Sequence, residues 1–186
     1  MALRFKTKWH RGGPKTLADR AGVVGFNLWK VAYEAFRRME REEFSMGGDE
    51  QVTAVVGEWL AFLLQMSDRL VYGQMSEEDR ATLINALGRN LADTMESNMA
   101  DLFGPGDWRG RFIGRLNQRL ADYAEFEFDP GGDNYAARRY VAEKVAEALT
   151  GMDTKWVIEQ VIDIETPEAI RSVKRVVREV LGLKAP

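Results

Sequence analysis

From Phe26 to Leu181 apolar residues recur at every third or fourth position, and the recurrence breaks where Gly, Pro and Asp cluster. A chain with that period buries its apolar surface by packing helix against helix, so the pattern points away from a sheet as the main framework. Phe26, Trp29, Tyr33 and Phe36 predict a helix from about 26 to 44 with an aromatic face, ended by Gly47 and Gly48. With Asp49 as its cap, the next segment runs to about Tyr72. It carries Val52, Val55, Val56, Trp59, Leu60, Leu63 and Leu64, an apolar set too broad for a surface helix. This helix is therefore expected at the centre. Ser76 followed by Glu77, Glu78 and Asp79 starts a long helix that ends at Phe103, with Leu83, Leu87, Leu91, Met95 and Met99 on its core face. Gly104-Pro105-Gly106 separates it from a helix capped by Asp107, whose stripe is Trp108, Phe112, Leu116, Leu120 and Tyr123.

After the break at Asp129 to Asp133, Tyr140, Val141, Val145 and Leu149 mark a helix running to Gly151. Asp153 or Thr154 can cap a segment containing Trp156, Val157, Val161 and Ile162, whose β-branched content leaves a strand as the competing reading. Thr166-Pro167-Glu168 then combines a capping residue, a first-position proline and a first-turn acid, which predicts a separate final helix with Ile170, Val173, Val177, Val180 and Leu181 inside. Short connections favour antiparallel neighbours. The expected fold is thus all-α, an up-and-down helical bundle of about six helices with an extended basic N-terminal arm. Residues 1–25 are expected to hold the arm and a short helix or turn, and residues 26–186 a single bundle domain.

Charge divides the chain more sharply than hydropathy does. Residues 1–38 carry nine Lys or Arg against two acids, whereas residues 39–186 carry seventeen against twenty-seven. A basic head on an acidic body is attracted to polyanions or to acidic protein surfaces, including the body of a second copy. Within the head, Leu3, Phe5, Thr7 and Trp9 alternate with Arg4, Lys6 and Lys8, a two-residue period that reads as extended chain. Arg4, Lys6, Lys8, Trp9 and Arg11 are the predicted contact residues. Next, Thr16-Leu17-Ala18-Asp19-Arg20-Ala21-Gly22-Val23 resembles the first helix and turn of a helix-turn-helix unit, with Leu28 and Val31 placed to pack a second helix. That resemblance implies major-groove DNA recognition. The would-be recognition helix, however, opens with Val24, Gly25 and Phe26 in place of side chains that read base edges.

Catalytic and metal chemistry find few candidates. The chain has no cysteine, and its single histidine, His10, sits in the arm. That composition removes thiolate sites and paired Glu-x-x-His motifs, and it fits a cytosolic protein with no disulfide framework. No cofactor is expected. Carboxylate pairs Glu40/Glu43 and Asp122/Glu125 share helix faces and leave a magnesium-dependent, all-helical phosphohydrolase as one alternative. The Gly104 to Arg111 loop lacks the Lys-Ser/Thr pair of a phosphate cradle, and Asp107 would occupy the anion position itself. Asp129 to Asn134 lacks the alternating acids of a calcium loop.

Two basic stripes remain: Arg111, Arg115 and Arg119 on one helix, and Arg171, Lys174, Arg175 and Arg178 on the last. Either stripe can face solvent or pair with an acidic helix. No signal peptide or membrane span is expected, since the longest greasy stretch, Trp59 to Met66, falls far short of the roughly 20 residues a span needs. The reading that follows is a non-enzymatic cytosolic interaction or regulatory protein, a homodimer whose basic arm meets an acidic protein surface. A helix-turn-helix DNA-binding regulator is the leading alternative, with nucleic acid the less favoured partner.

Overall fold

The first helix is started by a reciprocal cap. Thr16 Oγ1 accepts the Asp19 N–H at 3.1 Å, and the Asp19 carboxylate accepts the Thr16 N–H at 2.9 Å. In this computed structural model, which describes residues 15–41, 48–129, 134–149 and 153–183, the elements are α1 (Leu17–Arg41), α2 (Asp49–Val71), α3 (Glu77–Phe103), α4 (Trp108–Ala124), α5 (Tyr135–Ala148), α6 (Thr154–Gln160), a π-helical turn (Val161–Glu165) and α7 (Thr166–Leu181). The π turn joins α6 to α7 without a break, so the described residues form six helical rods. Among the described residues there is no strand, and no helix is long and apolar enough to cross a membrane.

Two expectations about the head meet a different geometry. α1 runs uninterrupted through Gly22 and Gly25, so the turn that a helix-turn-helix unit needs at Gly22 is absent and the boundary drawn between residues 25 and 26 lies inside a helix. Ala21 and Val24 are buried and belong to the core. Gly25 sits at a close crossing, where a Cβ would press on the Asn90 and Leu87 side chains of α3. The arm itself, with Arg4, Lys6, Lys8, Trp9, His10 and Arg11, lies outside the described residues.

α2 is the central helix, as its apolar set predicts. Every residue from Val55 to Ser67 is buried, and α1, α3, α4, α5 and α7 all pack around it. Its cap differs from expectation: Gly48, at φ +98°, precedes the helix, and Asp49 occupies the first turn. There its charge complements the helix dipole without capping a backbone N–H. Three of the other start signals hold. Ser76 Oγ accepts the Asp79 N–H at 3.1 Å, Asp107 Oδ1 accepts the Gly110 N–H at 3.0 Å, and Asp153 Oδ1 accepts the Lys155 N–H at 2.9 Å.

Thr166 does not start a separate helix. Its N–H bonds the Val161 carbonyl five residues back, and its hydroxyl donates to the Ile162 carbonyl at 2.9 Å. Pro167 follows, lacking an N–H and crowding the carbonyl four residues before it, and one wider turn accommodates both defects. Arg138 of α5 secures the turn, donating to Thr166 Oγ1 at 2.9 Å and to the Ile162 carbonyl. The β-branched run around Val161 is therefore helical, because tertiary hydrogen bonds and burial outweigh its strand propensity.

Glu165 closes the π turn fully buried, accepting from Arg38 Nε of α1 at 2.8 Å and from Gln160 Nε2 at 3.3 Å. Burial raises its carboxyl above the usual range, and the hydrogen bond from Arg38 only partly offsets that. Because the folded pKa lies above the unfolded one, this group favours the folded state most below the unfolded pKa, and that contribution fades as pH rises through the folded pKa. Glu165→Gln is accordingly expected to lose its disadvantage, or to gain on the native protein, as pH climbs from about 4.5. Unfolding by urea at pH 4 and pH 7 measures it. A stability difference that moves the other way with pH would show that the ion pair with Arg38 dominates the burial cost.

Candidate binding cleft

The basic stripe of α4 is divided among three environments. Arg119 is innermost, and its guanidinium forks onto the buried Glu58 of α2, with Nε to Oε2 at 2.7 Å and Nη2 to Oε1 at 3.1 Å. The hydrogen bond to Glu58 is the main reason the Arg119 guanidinium holds its proton more tightly than usual. Asp122 lies 3.6 Å from Arg119 and accepts the Tyr140 hydroxyl. Burial, then that hydrogen bond to Asp122, pushes the Tyr140 phenol up to about 12. Tyr123, stacked edge-on against Tyr140 with ring centroids 5.0 Å apart, is raised as well, chiefly by burial. This network of paired charges and phenols ties α2, α4 and α5 together.

Arg115 sits one turn further out. Its Nε is 3.9 Å from Glu58 Oε1, an oxygen Arg119 already uses. Its side chain lies across the bare backbone of α2, where a Cβ at Gly57 would come within 2.9 Å of Nη1. Arg111 is exposed and rests over the Trp108 ring at 5.2 Å. Among the described residues it has no carboxylate within salt-bridge distance. The stripe thus ends in two guanidiniums, Arg111 with no acid in range among the described residues and Arg115 beside an acid that Arg119 already holds.

These two arginines border an open cleft of about 300 Å³ between α2, α3 and α4. Met95, Met99 and Phe103 of α3 and Trp108 and Phe112 of α4 supply its apolar surface, and Glu50, Thr53 and Ala54 of α2 form the opposite side. The Gly104 to Asp107 loop sets the aromatic wall: Trp108 Nε1 donates to the Gly104 carbonyl at 2.9 Å, and its ring meets Phe103 at 5.8 Å. Asp107 fills the N-terminus of α4, as expected, so the anion-accepting part of this region is the arginine pair and not the helix end. Thr53 has no hydroxyl proton left to donate to a ligand, because it is directed at the Asp49 and Glu50 carbonyls at 2.9 and 3.0 Å.

The second stripe stays separate. Arg171 pairs with Glu168 at 3.4 Å on the exposed side of α7, where Arg175 is also exposed and Lys174 and Arg178 are half-buried. α7 packs on α1 and α2 while α4 packs on α2 and α3, so the fold does not merge the two stripes into one basic face. Of the acidic pairs, Glu40 bonds Arg37 at 3.1 Å, Glu43 lies outside the described residues, and Asp122 is held by Arg119 and Tyr140. Among the described residues no three His, Cys, Asp or Glu side chains gather to hold a metal ion.

Sequence spacing alone assigns Met95, Met99, Phe112 and Trp108 to plain core. The signal that could have located the site was Glu58, an acid within the most apolar segment of the chain, since a buried carboxylate must find a cationic partner. Comparison with family models, with characterised proteins and with solved structures finds no match.

Proposed function

We propose that the protein is a cytosolic, non-enzymatic interaction protein of regulatory type, acting as a homodimer in which the basic arm of one copy contacts the acidic body of the other. The observation that carries this reading is the charge division, and the paired cations of α1 narrow where the uncommitted positive charge lies. Arg20 donates to the Leu181 carbonyl at 3.2 Å and thereby caps α7, Lys30 pairs with Glu34 at 3.9 Å, and Arg37 and Arg38 bond Glu40 and Glu165. Of the head's other cations, Arg4, Lys6, Lys8 and Arg11 lie in the arm, outside the described residues, and are the ones assigned to the partner.

A complementary surface supports the pairing. Beyond α4, Glu125, Glu127 and Asp129 are exposed and alternate with Phe126 and Phe128, which pack on the core. Acids at every second position of this sequence and cations at every second position of the arm are the complementary charges.

Replacing Arg4, Lys6, Lys8 and Arg11 together with Gln should weaken the dimer at low ionic strength and leave it nearly unchanged at high salt. Each exposed pair is worth about 0.2–1 kcal/mol, and four together raise the dissociation constant by about tenfold or more. Sedimentation equilibrium at low and high salt measures it. A wild-type chain that is monomeric at both salt concentrations would overturn the reading. Salt-dependent duplex binding abolished by the four substitutions would instead establish a DNA interaction, with a log–log salt slope of about 0.9 for each phosphate that the arm neutralises.

A further inference from the structure

We infer that the cleft between α2, α3 and α4 binds a small amphipathic carboxylate, with its apolar body on Met95, Met99 and Phe112 and its carboxylate at Arg111 and Arg115. The volume, about 300 Å³, is at the small end of the range for ligand sites and suits a single organic acid better than a protein segment. The floor is apolar and adaptable, since two methionine side chains can settle around an alkyl chain or a ring. The aromatic wall is rigid, because Trp108 is held by its bond to the Gly104 carbonyl.

The charge at the rim selects the headgroup. Arg119 takes the acids of this cluster, with Glu58 giving both its oxygens to it and Asp122 lying 3.6 Å away, while Arg115 comes no nearer than 3.9 Å to Glu58. Arg115 therefore retains donors for a second carboxylate, and Arg111 adds a further guanidinium one helical turn away. Stacking on Trp108 keeps Arg111 at the rim while leaving its edge free to donate. A cationic or neutral amphiphile gains nothing from this pair. The basic arm of the chain itself is repelled by it. Glu50, the one acid in the lining, stands on the α2 side and turns the carboxylate toward α4.

Titration with decanoate, decanol and decyltrimethylammonium tests the inference on the intact chain carrying ¹³C-methyl methionine. Decanoate should shift the Met95 and Met99 methyl resonances and bind at least about tenfold more tightly than decanol, the factor expected for one charge-assisted hydrogen bond. Arg111→Gln with Arg115→Gln should erase that preference without moving the melting temperature by more than a few degrees. Ala54→Trp, which fills the cleft from α2, should abolish the methyl shifts while both arginines remain. Equal binding of decanoate and decanol, or decanoate shifts confined to methionines elsewhere, would overturn the assignment.

Discussion

Trp59→Ala is expected to lower the free energy of unfolding by about 3–5 kcal/mol, the largest loss for any tryptophan in the described residues. Trp59 has no exposed surface, lies midway along the helix that five others enclose, and meets Phe62 edge-on at 6.1 Å. Phe62 in turn contacts Tyr123, so the cavity opens at the junction of α2 and α4. Neighbours of a helix packed on all sides cannot collapse into the space, and the cavity term then adds to the lost transfer energy. Trp156 is 42% exposed, and its removal should cost under about 1 kcal/mol. Trp59→Phe gives the sharper control. The indole N–H of Trp59 has no hydrogen-bond partner, so the change forfeits volume but no hydrogen bond, and should cost much less than alanine. Urea midpoints for the three variants decide the matter, and an alanine loss no larger than that at Trp156 would remove α2 from the centre of the fold.

That central placement is legible in the sequence because it rests on local facts. The breadth of the apolar set between Val52 and Leu64 needs no knowledge of its neighbours, and neither do the caps at Ser76, Asp107 and Asp153, whose N–H donors lie two or three residues away. The features that sequence alone misplaces depend on distant partners. Gly25 falls where the head's boundary is drawn from sequence, yet it lies inside α1 with Asn90 of α3 against it. The Thr166-Pro167-Glu168 signal has the composition of a helix start, yet Arg138, 28 residues earlier, claims the threonine hydroxyl and the chain remains helical. The site follows the same rule. Arg111, Arg115 and Arg119 are recognisable as one face from spacing alone, but their different fates depend on Glu58, 61 residues before Arg119, and on a cleft whose third wall comes from α3.

Glu58→Ala should be the most damaging change on the surface-facing side of the core, at about 3–5 kcal/mol, for a reason unlike that at Trp59. The side chain of Glu58 is 7% exposed and that of Arg119 15%, so neither can recover full hydration once its partner is gone. Removing the acid leaves Arg119 with only the partly exposed Asp122, 3.6 Å away, and Arg115 with no acid in range among the described residues. The loss measures that uncompensated charge and not the net worth of the pair. Replacing both partners, Glu58→Leu with Arg119→Met, should therefore cost far less than the two single changes summed, leaving a coupling of about 2–3 kcal/mol in a double-mutant cycle. Salt separates this pair from the exposed ones. Lys155 and Glu159, 84% and 59% exposed at 3.8 Å, should show no coupling once the screening length shrinks to about 3 Å at 1 M salt. The Glu58–Arg119 coupling should survive, because little solvent reaches it. Additive losses in the cycle, or a coupling that salt abolishes, would mean that the fork is a surface pair and that Arg115 lacks the excess charge assigned to the rim of the cleft.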